Sequence, residues 1–290
     1  MRFAVVGAFL PTEELVPIAR AADELGYAGF AIADHVVDIE TLQTPYPYEA
    51  DGSRRWEPTT EWPDPWVLVG ALSAVTRQIG FFTSIYVAAL RSPYQVAKSV
   101  GTAAVLSGGR VRLGVGVGWC REEFELLDQD FGTRGRRTDE ALDLLRDLWT
   151  EDWVESAGPL YPTPRLTMRP RPELPVPILV GGMSEVALRR AARHDGWIGD
   201  VCSTDEAVGR ATRLRELRAE LGRDGESDVV VALNDALTPD DFARAEAGGI
   251  TDVMTMPWLY YSGFSATLDQ KIDGLQRFAA DVLVPLGAAS

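Results

Sequence analysis

Two adjacent residues early in the chain, Asp34 and His35, have side chains that could move a proton. They end an otherwise apolar stretch, AGFAIADHVV (28–37). A histidine titrates near neutral pH, and a neighbouring carboxylate can orient it or stabilise its charged form. The alternative is that both side chains only cap a strand and bind loop backbone. Because His35 is one of two histidines, we predict that it is catalytic, with Asp34 as its partner.

Two glycine-rich segments could bring the backbone close to a ligand. Gly181 and Gly182 follow an apolar run and precede a helical pattern, where backbone amides bind phosphate or simply form a tight turn. The second segment, GVGVGW (114–119), has glycine at alternate positions. Gly116 and Gly118 would therefore leave a bare face toward a neighbouring residue or a flat ligand. This segment lacks the glycine spacing of dinucleotide-binding folds.

Several basic residues are weaker candidates for a functional role. His194 ends a predicted helix, and we interpret it as a cation that interacts with the helix dipole, without a chemical role. Arg134, Arg136 and Arg137 could reach an anionic ligand, or could face acidic neighbours and solvent.

Composition excludes several classes of function. The formal charge of −15 argues against nucleic acid as a partner, because binding to phosphate backbones requires a basic surface. Cys120 and Cys202 form no motif, and His, Cys and carboxylate residues lack metal-ligand spacing, so no metal site is predicted. No apolar run approaches the ~20 residues that cross a bilayer, and the start of the chain does not read as a signal peptide. We expect a cytoplasmic protein.

Strand and helix patterns alternate along the whole chain. Eight apolar segments predict strands at 2–9, 29–36, 79–87, 110–118, 176–182, 196–201, 228–234 and 251–258. Strands separated by helices run parallel, and eight such units favour a closed (β/α)₈ barrel, the TIM-barrel fold, over a doubly wound sheet. We predict one domain, 1–290, with Asp34, His35 and the glycines at the carboxyl ends of the strands.

Two long segments interrupt this alternation, and we expect both to extend over the carboxyl face and to determine the substrate. The first, 37–63, contains four large aromatic residues and predicts either a lid over an apolar or ring-shaped substrate, or a loop that packs on itself or on a partner subunit. The second, 151–175, is rich in proline and cannot form a regular helix.

The ordered motifs of the chain resemble those of the luciferase-like monooxygenase family, and in particular its branch that uses the deazaflavin coenzyme F420. The resemblance covers nearly the entire chain. It rests on ADHV (33–36), RQIGFFTSIYV (77–87), RSPYQVAKSVGTAAVLSGGRVRLGVGVGW (91–119), EEF (122–124), DFGTRGRRTDEAL (130–142) and PVPILVGGMSEVALRRAARHDGWI (175–198).

The resemblance implies a barrel whose mouth holds a tricyclic cofactor against a bulge in the third strand. It implies a cis peptide bond between Ser84 and Ile85, contact of Asp34 and His35 with the cofactor ring, and proton transfer by His35. We also predict that Gly116, Gly118 and Trp119 bind the cofactor. Gly181, Gly182 and Met183 are expected to lie beside its phosphate.

One departure from the family pattern concerns the reaction. A sugar-phosphate dehydrogenase of this family has a catalytic glutamate where this chain has Trp119, which puts a glucose-6-phosphate dehydrogenase activity in doubt. Trp119 is suited to stacking on a ring or forming a pocket wall, or it packs in the core beneath the next helix.

We therefore expect an oxidoreductase that transfers a hydride between F420 and an organic substrate, and that forms a homodimer. The alternatives are an FMN-dependent monooxygenase on the same fold, a non-catalytic flavin-binding protein, and a phosphate-binding isomerase or aldolase. The last is weakened because the two lysines, Lys98 and Lys271, fall within predicted helices.

Overall fold

The computed structural model describes residues 1–288, and the last two positions of the predicted domain lie outside it. Eight parallel strands form a closed barrel in the order β1-β10-β9-β8-β7-β4-β3-β2, which confirms the predicted fold. The barrel strands are β1 (Arg2–Val6), β2 (Gly29–Ile32), β3 (Gly80–Thr83), β4 (Val111–Val115), β7 (Ile178–Gly181), β8 (Gly196–Cys202), β9 (Asp228–Leu233) and β10 (Asp252–Thr255).

Helices connect these strands and cover the outside of the barrel. They are α1 (Thr12–Glu24), α2 (Pro65–Ser73), α3 (Pro93–Leu106), α4 (Arg121–Leu126), α5 (Arg134–Thr150), α6 (Glu185–Ala191), α7 (Thr204–Glu220), α8 (Pro239–Ala247) and α9 (Leu268–Phe278). Within residues 1–288, none of them is both long and apolar enough to cross a bilayer.

Several strands end earlier than the sequence predicts. β2 stops at Ile32, and β3 stops at Thr83. Asp34, His35, Ser84 and Ile85 therefore lie on the loops that leave the barrel, where the backbone is free of regular sheet pairing.

The barrel interior is filled by a small apolar cluster. Phe82 is its largest member, and Gly29 on the neighbouring strand gives it room, because a Cβ there would lie 3.1 Å from the Phe82 ring. The other buried members are Ala4, Ala31, Leu179, Ile198, Val230 and Met254. The larger cluster of buried side chains lies between the strands and the helices, so the barrel is a packed core rather than a pore.

An ion network closes the amino-terminal end of the barrel, which we call the floor. Arg2 and Arg112 each bind both Asp228 and Asp252, with N–O distances of 2.6 to 2.9 Å. Burial alone would raise the pKa of Asp228, but the two arginines hold it below its usual range. All four charges are thus compensated by one another.

The segment 151–175 does not extend over the carboxyl face, contrary to the prediction. It follows α5, which returns the chain to the floor side, and it forms an antiparallel hairpin of β5 (Val154–Ser156) and β6 (Thr163–Leu166). The hairpin packs on the outside of α3 and α5: the Tyr94 and Thr163 hydroxyls are 2.8 Å apart, and Glu140 accepts hydrogen bonds from the backbone beyond β5.

The sequence suggested that His194 is a cation at the end of a helix, and the structure contradicts this interpretation. Its side chain is buried, and its Nδ1 has no hydrogen-bond partner within residues 1–288. Burial, together with the nearby Arg146 and Arg193, lowers the pKa of His194 to about 4. The ring is therefore neutral at pH 7, and it packs on the floor side between the end of α6 and β8.

Candidate functional site

A cavity of about 2050 Å³ opens at the carboxyl ends of the strands, at the mouth of the barrel. It is lined by the loops after the strands and by the first long segment, at residues 44–62. No residue of 151–175 lines it. All the site residues predicted from the sequence border this cavity: Asp34, His35, Ser84, Ile85, Gly116, Gly118, Trp119, Gly181, Gly182 and Met183.

His35 is held by a glutamate that the sequence did not identify as its partner. Its Nδ1 lies 3.1 Å from Glu123 Oε2, and the other Glu123 oxygen accepts a hydrogen bond of 2.9 Å from the Val36 amide. A carboxylate oxygen accepts hydrogen bonds, so this contact fits the tautomer of His35 with its hydrogen on Nδ1, and Nε2 has no protein partner in the described chain. The side chain of His35 is 16% exposed.

The preceding residue of helix α4, Glu122, anchors the first long segment. Its Oε1 accepts hydrogen bonds from the amides of Gln43 and Thr44, at 2.7 and 2.9 Å. Burial alone would raise the pKa of Glu122, but these amides lower it to about 2. The adjacent glutamates of the EEF motif therefore fix both the catalytic candidate and the loop above it. Nothing in the local sequence revealed this pairing, because the partners lie far apart in the chain.

Asp34 does not contact the ring of His35, which corrects the predicted pair. Its two oxygens bind the Arg91 guanidinium, each at 2.7 Å, and one also accepts a hydrogen bond from the Val87 amide. Arg91 also lies over the ring of Tyr86, 4.3 Å from its centre. Asp34 thus fixes the loop that follows β3, and we assign it a positioning role in place of the predicted partnership with His35.

Aromatic rings surround His35. Trp56, Trp62 and Trp119 have ring centres 4.9, 5.1 and 6.3 Å from the His35 ring. Tyr46 lies 5.2 Å from both Trp56 and Trp119. Trp119 is half-buried and forms a wall of the cavity, so it is not a core residue beneath α4. The first long segment packs on itself and also lines the mouth.

An ion pair joins this segment to the opposite side of the mouth. Arg55 binds Asp200 of β8 at 2.9 Å and Glu49 at 2.5 Å. Arg54 pairs with Asp38, which also accepts a hydrogen bond from the Trp56 indole. The aromatic residues are therefore held over the cavity by charges that are already compensated.

A bulge follows β3 where the cofactor was expected. The Ser84–Ile85 peptide bond is cis, as the resemblance implied. Phe82 pairs with Arg112, and Tyr86 pairs with Val115. Between these two pairs, the chain that leaves β3 has one more residue than the facing chain of β4. This extra residue is the signature of a β-bulge, which often redirects side chains at active sites.

The side chain of Ile85 lies in a groove that two glycines leave open. A Cβ on Gly116 would lie 2.1 Å from Ile85 Cδ1, and a Cβ on Gly181 would lie 2.5 Å from Ile85 Cγ2. Of the two alternatives for the bare face of the GVGVGW segment, the structure supports a neighbouring side chain at Gly116. Gly118 has φ +84°, and a Cβ there would meet Val87 and Phe124 at 2.7 Å.

Gly182 and Met183 form the turn from β7 into α6. Gly182 has φ +123°, and its carbonyl accepts a hydrogen bond of 2.7 Å from the Trp197 indole. The Asp200 amide lies 3.3 Å from Met183 Sδ. This turn forms one side of the cavity, so its predicted place at the mouth agrees with the structure.

The three arginines at the start of α5 differ in their contacts. Arg134 donates hydrogen bonds to backbone carbonyls, and Arg137 binds Gln129 and Tyr161. Arg136 is exposed and lines the cavity, and its side chain has no hydrogen bond or ion pair with any residue of 1–288. Asp139 is already paired, with Arg190 and Arg193. Arg136 is thus the arginine of this group that remains available to an anion.

Comparison with known proteins adds a relationship to this geometry. A profile of the family described as luciferase-like monooxygenase matches residues 5–269. An uncharacterized protein of Mycobacterium tuberculosis is 37% identical over 288 residues, 98% of this chain and 99% of that protein. The F420-dependent glucose-6-phosphate dehydrogenase of Kribbella flavida is 31% identical over 190 residues, 64% of this chain and 52% of that enzyme.

Solved structures share the barrel at lower identity. The monooxygenase RslO1 from Streptomyces bottropensis has a TM-score of 0.77 at 18% identity, with 98% of this chain and 99% of that chain covered. The coenzyme F420-dependent tetrahydromethanopterin reductase from Methanopyrus kandleri has a TM-score of 0.73 at 12% identity, covering 98% and 99%. The FMN complex of the oxygenating constituent of 3,6-diketocamphane monooxygenase from Pseudomonas putida has a TM-score of 0.63 at 15% identity, covering 80% and 66%. At these identities the likeness supports the fold alone.

Proposed function

The chain belongs to the luciferase-like monooxygenase family, and from this relationship we propose that it transfers a hydride between coenzyme F420 and an organic substrate. The observation that carries the proposal is His35 at the edge of the mouth. Glu123 fixes one nitrogen of its ring, and the other has no protein partner in the described chain. A side chain held in this way can exchange a proton with a bound ligand.

The cavity fits a flat cofactor together with a substrate. Its volume of about 2050 Å³ exceeds the ~300–1,000 Å³ of a typical single-ligand pocket. Ile85 lies in the groove left by Gly116 and Gly181 and lines the cavity, so the bulge offers an apolar side chain to a flat ring. When bound, F420 would supply the hydride chemistry.

Residues on one side of the mouth suit the anionic part of such a cofactor. Gly182, Met183 and Ser184 present a turn of backbone that is exposed to the cavity. Arg136 lines the same cavity with its charge uncompensated by a direct partner. We propose that these residues hold the phosphate and that the bulge at Ser84 and Ile85 supports the ring.

His35 would hold or accept the proton that accompanies hydride transfer. Its Nε2 is the atom that exchanges this proton, because Nδ1 is bound to Glu123. Glu123 keeps the ring in this tautomer and stabilises it when it becomes charged. Trp56, Trp62 and Trp119 exclude water from the same region, which favours hydride transfer over competing reactions.

A curated relative supports F420 as the cofactor. The Kribbella flavida relative is named as F420-dependent, and so is the Methanopyrus kandleri reductase. A second candidate is an FMN-dependent monooxygenase. The same fold is found in the RslO1 monooxygenase, which matches almost the full length of the chain, and in the FMN-bound diketocamphane enzyme.

A turnover assay tests the proposal. The purified protein is mixed with oxidised F420 and a panel of alcohols under anaerobic conditions, and with reduced F420 and a panel of carbonyl and unsaturated compounds. We expect the absorbance of oxidised F420 to fall in the first set or to rise in the second, at a rate proportional to protein concentration. Oxygen-dependent product formation with reduced FMN alone would support the monooxygenase. Tight cofactor binding without turnover in any set would support a binding protein and contradict the proposal.

A further inference from the structure

The charged residues that line the mouth are unevenly distributed. They lie on the loops after β2, β4, β7 and β8 and on the first long segment. The loops after β1, β9 and β10, at residues 6–9, 232–237 and 254–264, contribute cavity-lining residues of which none is charged. We call this uncharged part of the lining the apolar sector.

Large apolar side chains of this sector stand exposed at the rim. Leu237 is 66% exposed and Phe264 is 81% exposed, and both line the cavity. Deeper in the same sector, Met254, Met256 and Leu259 line the wall. The same loops also line the cavity with Asn234, Thr255 and Tyr260, which are polar but uncharged. Exposed apolar side chains that lead into a cavity indicate a binding surface, because an isolated exposed side chain would have no such continuation.

The apolar sector reaches the aromatic residues around His35. Phe9, in the loop after β1, has φ +65°, a left-handed conformation that residues other than glycine rarely adopt. In this conformation its ring lies 5.5 Å from Trp62 and 6.4 Å from Trp56. Both tryptophans contact the ring of His35. A ligand on the apolar sector would thus extend from the rim to the proposed proton-transfer residue.

The arginines that line the mouth provide no free counter-ion for an anionic substrate on the apolar sector. Arg54 and Arg55 are paired with carboxylates of the first segment and of β8, and Arg190 is paired with Asp139. Arg134 and Arg136 have no carboxylate partner within residues 1–288, but both lie at the start of α5, on the side that the proposed cofactor phosphate would occupy. An anionic substrate group on the apolar sector would lose its hydration without gaining a counter-ion.

From this separation of charge we propose that the apolar sector binds the substrate, and that the substrate is an uncharged molecule with an extended apolar body. This inference rests on the proposed function, which places the cofactor on the opposite side of the mouth. It excludes phosphorylated sugars and carboxylates as substrates, although a relative of this chain acts on glucose 6-phosphate by name.

Binding of matched probes tests the inference. Octanol, octanoate and glucose 6-phosphate are titrated against the wild-type protein, with and without F420, while tryptophan fluorescence is recorded. We expect octanol to bind at least about tenfold more tightly than octanoate, and glucose 6-phosphate not to bind. Equal or tighter binding of octanoate or glucose 6-phosphate, or no measurable binding of octanol, would overturn the inference.

Two variants of equal exposure make the test specific. Leu237→Asp changes the apolar sector, and Leu174→Asp changes a residue that is also 66% exposed but does not line the cavity. We expect Leu237→Asp to weaken octanol binding about tenfold, the effect of losing a favourable apolar contact in a pocket. Leu174→Asp should leave it unchanged, and F420 affinity should be the same in both variants. Equal effects of the two substitutions on octanol would overturn the assignment.

The outcome separates this inference from the proposed function. If F420 binds and turns over but octanol has no preference over octanoate, only the apolar assignment fails. If octanol binds as expected and F420 does not bind, the proposed cofactor is wrong and the assignment of the apolar sector stands.

Discussion

The two ends of the barrel differ in how their charges are satisfied. At the floor, Arg2, Arg112, Asp228 and Asp252 form a closed set in which each charge has two partners. At the mouth, His35 has one nitrogen bound to Glu123 and one without a protein partner in residues 1–288. The floor is complete without a ligand, whereas the mouth leaves groups available to one.

This difference separates stability from function in the molecule. Residues at the floor contribute to the closure of the barrel, so replacing them should lower the free energy of unfolding. Residues at the mouth are held by their neighbours and face the cavity, so replacing them should change ligand affinity and turnover. The predictions below test this separation from the largest expected effect to the smallest.

Substitution of His35 should have the largest effect and should act on turnover alone. In His35→Ala we expect kcat to fall by about 10²- to 10⁴-fold, the usual contribution of a general acid or base. The melting temperature and the Kd for cofactor should stay close to those of the wild type. Stopped-flow measurement of cofactor absorbance gives the rate. Full turnover with intact cofactor affinity would remove the proton-transfer role of His35.

Substitution of Asp252 should have the opposite signature. Its side chain is 1% exposed and accepts hydrogen bonds from both floor arginines. Asp252→Ala leaves Arg2 and Arg112 undercompensated, and we expect a loss of about 3 kcal/mol in the free energy of unfolding. Calorimetry should show a melting temperature lower by roughly 6–12 °C, while cofactor affinity is unchanged. Asp143→Ala, an exposed position on α5, is the control. A floor variant that melts normally but binds cofactor weakly would break the comparison.

The buried His194 predicts acid sensitivity on the floor side. Because the pKa of His194 is about 4 in the folded state and about 6.5 when unfolded, the unfolded chain binds more protons between these values. Stability contributed by the neutral ring is therefore lost as the pH falls from about 6.5 to about 4, by up to about 3 kcal/mol. Denaturant unfolding across this range should show a shallower loss in His194→Gln. Parallel curves for variant and wild type would contradict the assignment.

The groove beneath Ile85 predicts a smaller effect, confined to the mouth. In Gly181→Ala the new Cβ would meet Ile85 Cγ2 at 2.5 Å, which should displace Ile85 toward the cavity. We expect cofactor affinity to fall about tenfold, or about 1.4 kcal/mol. Gly209→Ala on α7 is the matched control, because nothing lies within 4 Å of its Cβ. Isothermal titration measures both, and equal cofactor affinities in the two variants would argue against a role for the bulge at Ile85 in holding the cofactor ring.

The sequence predicted the barrel because strand and helix patterns alternate regularly, and it predicted the mouth because the residues of interest follow the strands. It did not predict the Glu123–His35 and Asp34–Arg91 contacts, since these depend on the paths of loops around the rim. The wrong prediction for segment 151–175 has a clearer cause. It connects the end of α5 to the start of β7 and therefore leaves from the amino-terminal side of the barrel. Its hairpin then packs along the outside of α3 and α5, as far as Tyr94 and Glu140, instead of covering the mouth.

The most direct test of the account is the ratio of two dissociation constants, for F420 and for FMN, measured by equilibrium titration of the same preparation of wild-type protein. The account predicts that F420 binds at least about tenfold more tightly than FMN, a difference of about 1.4 kcal/mol. Tighter binding of FMN would contradict the proposed deazaflavin-dependent function.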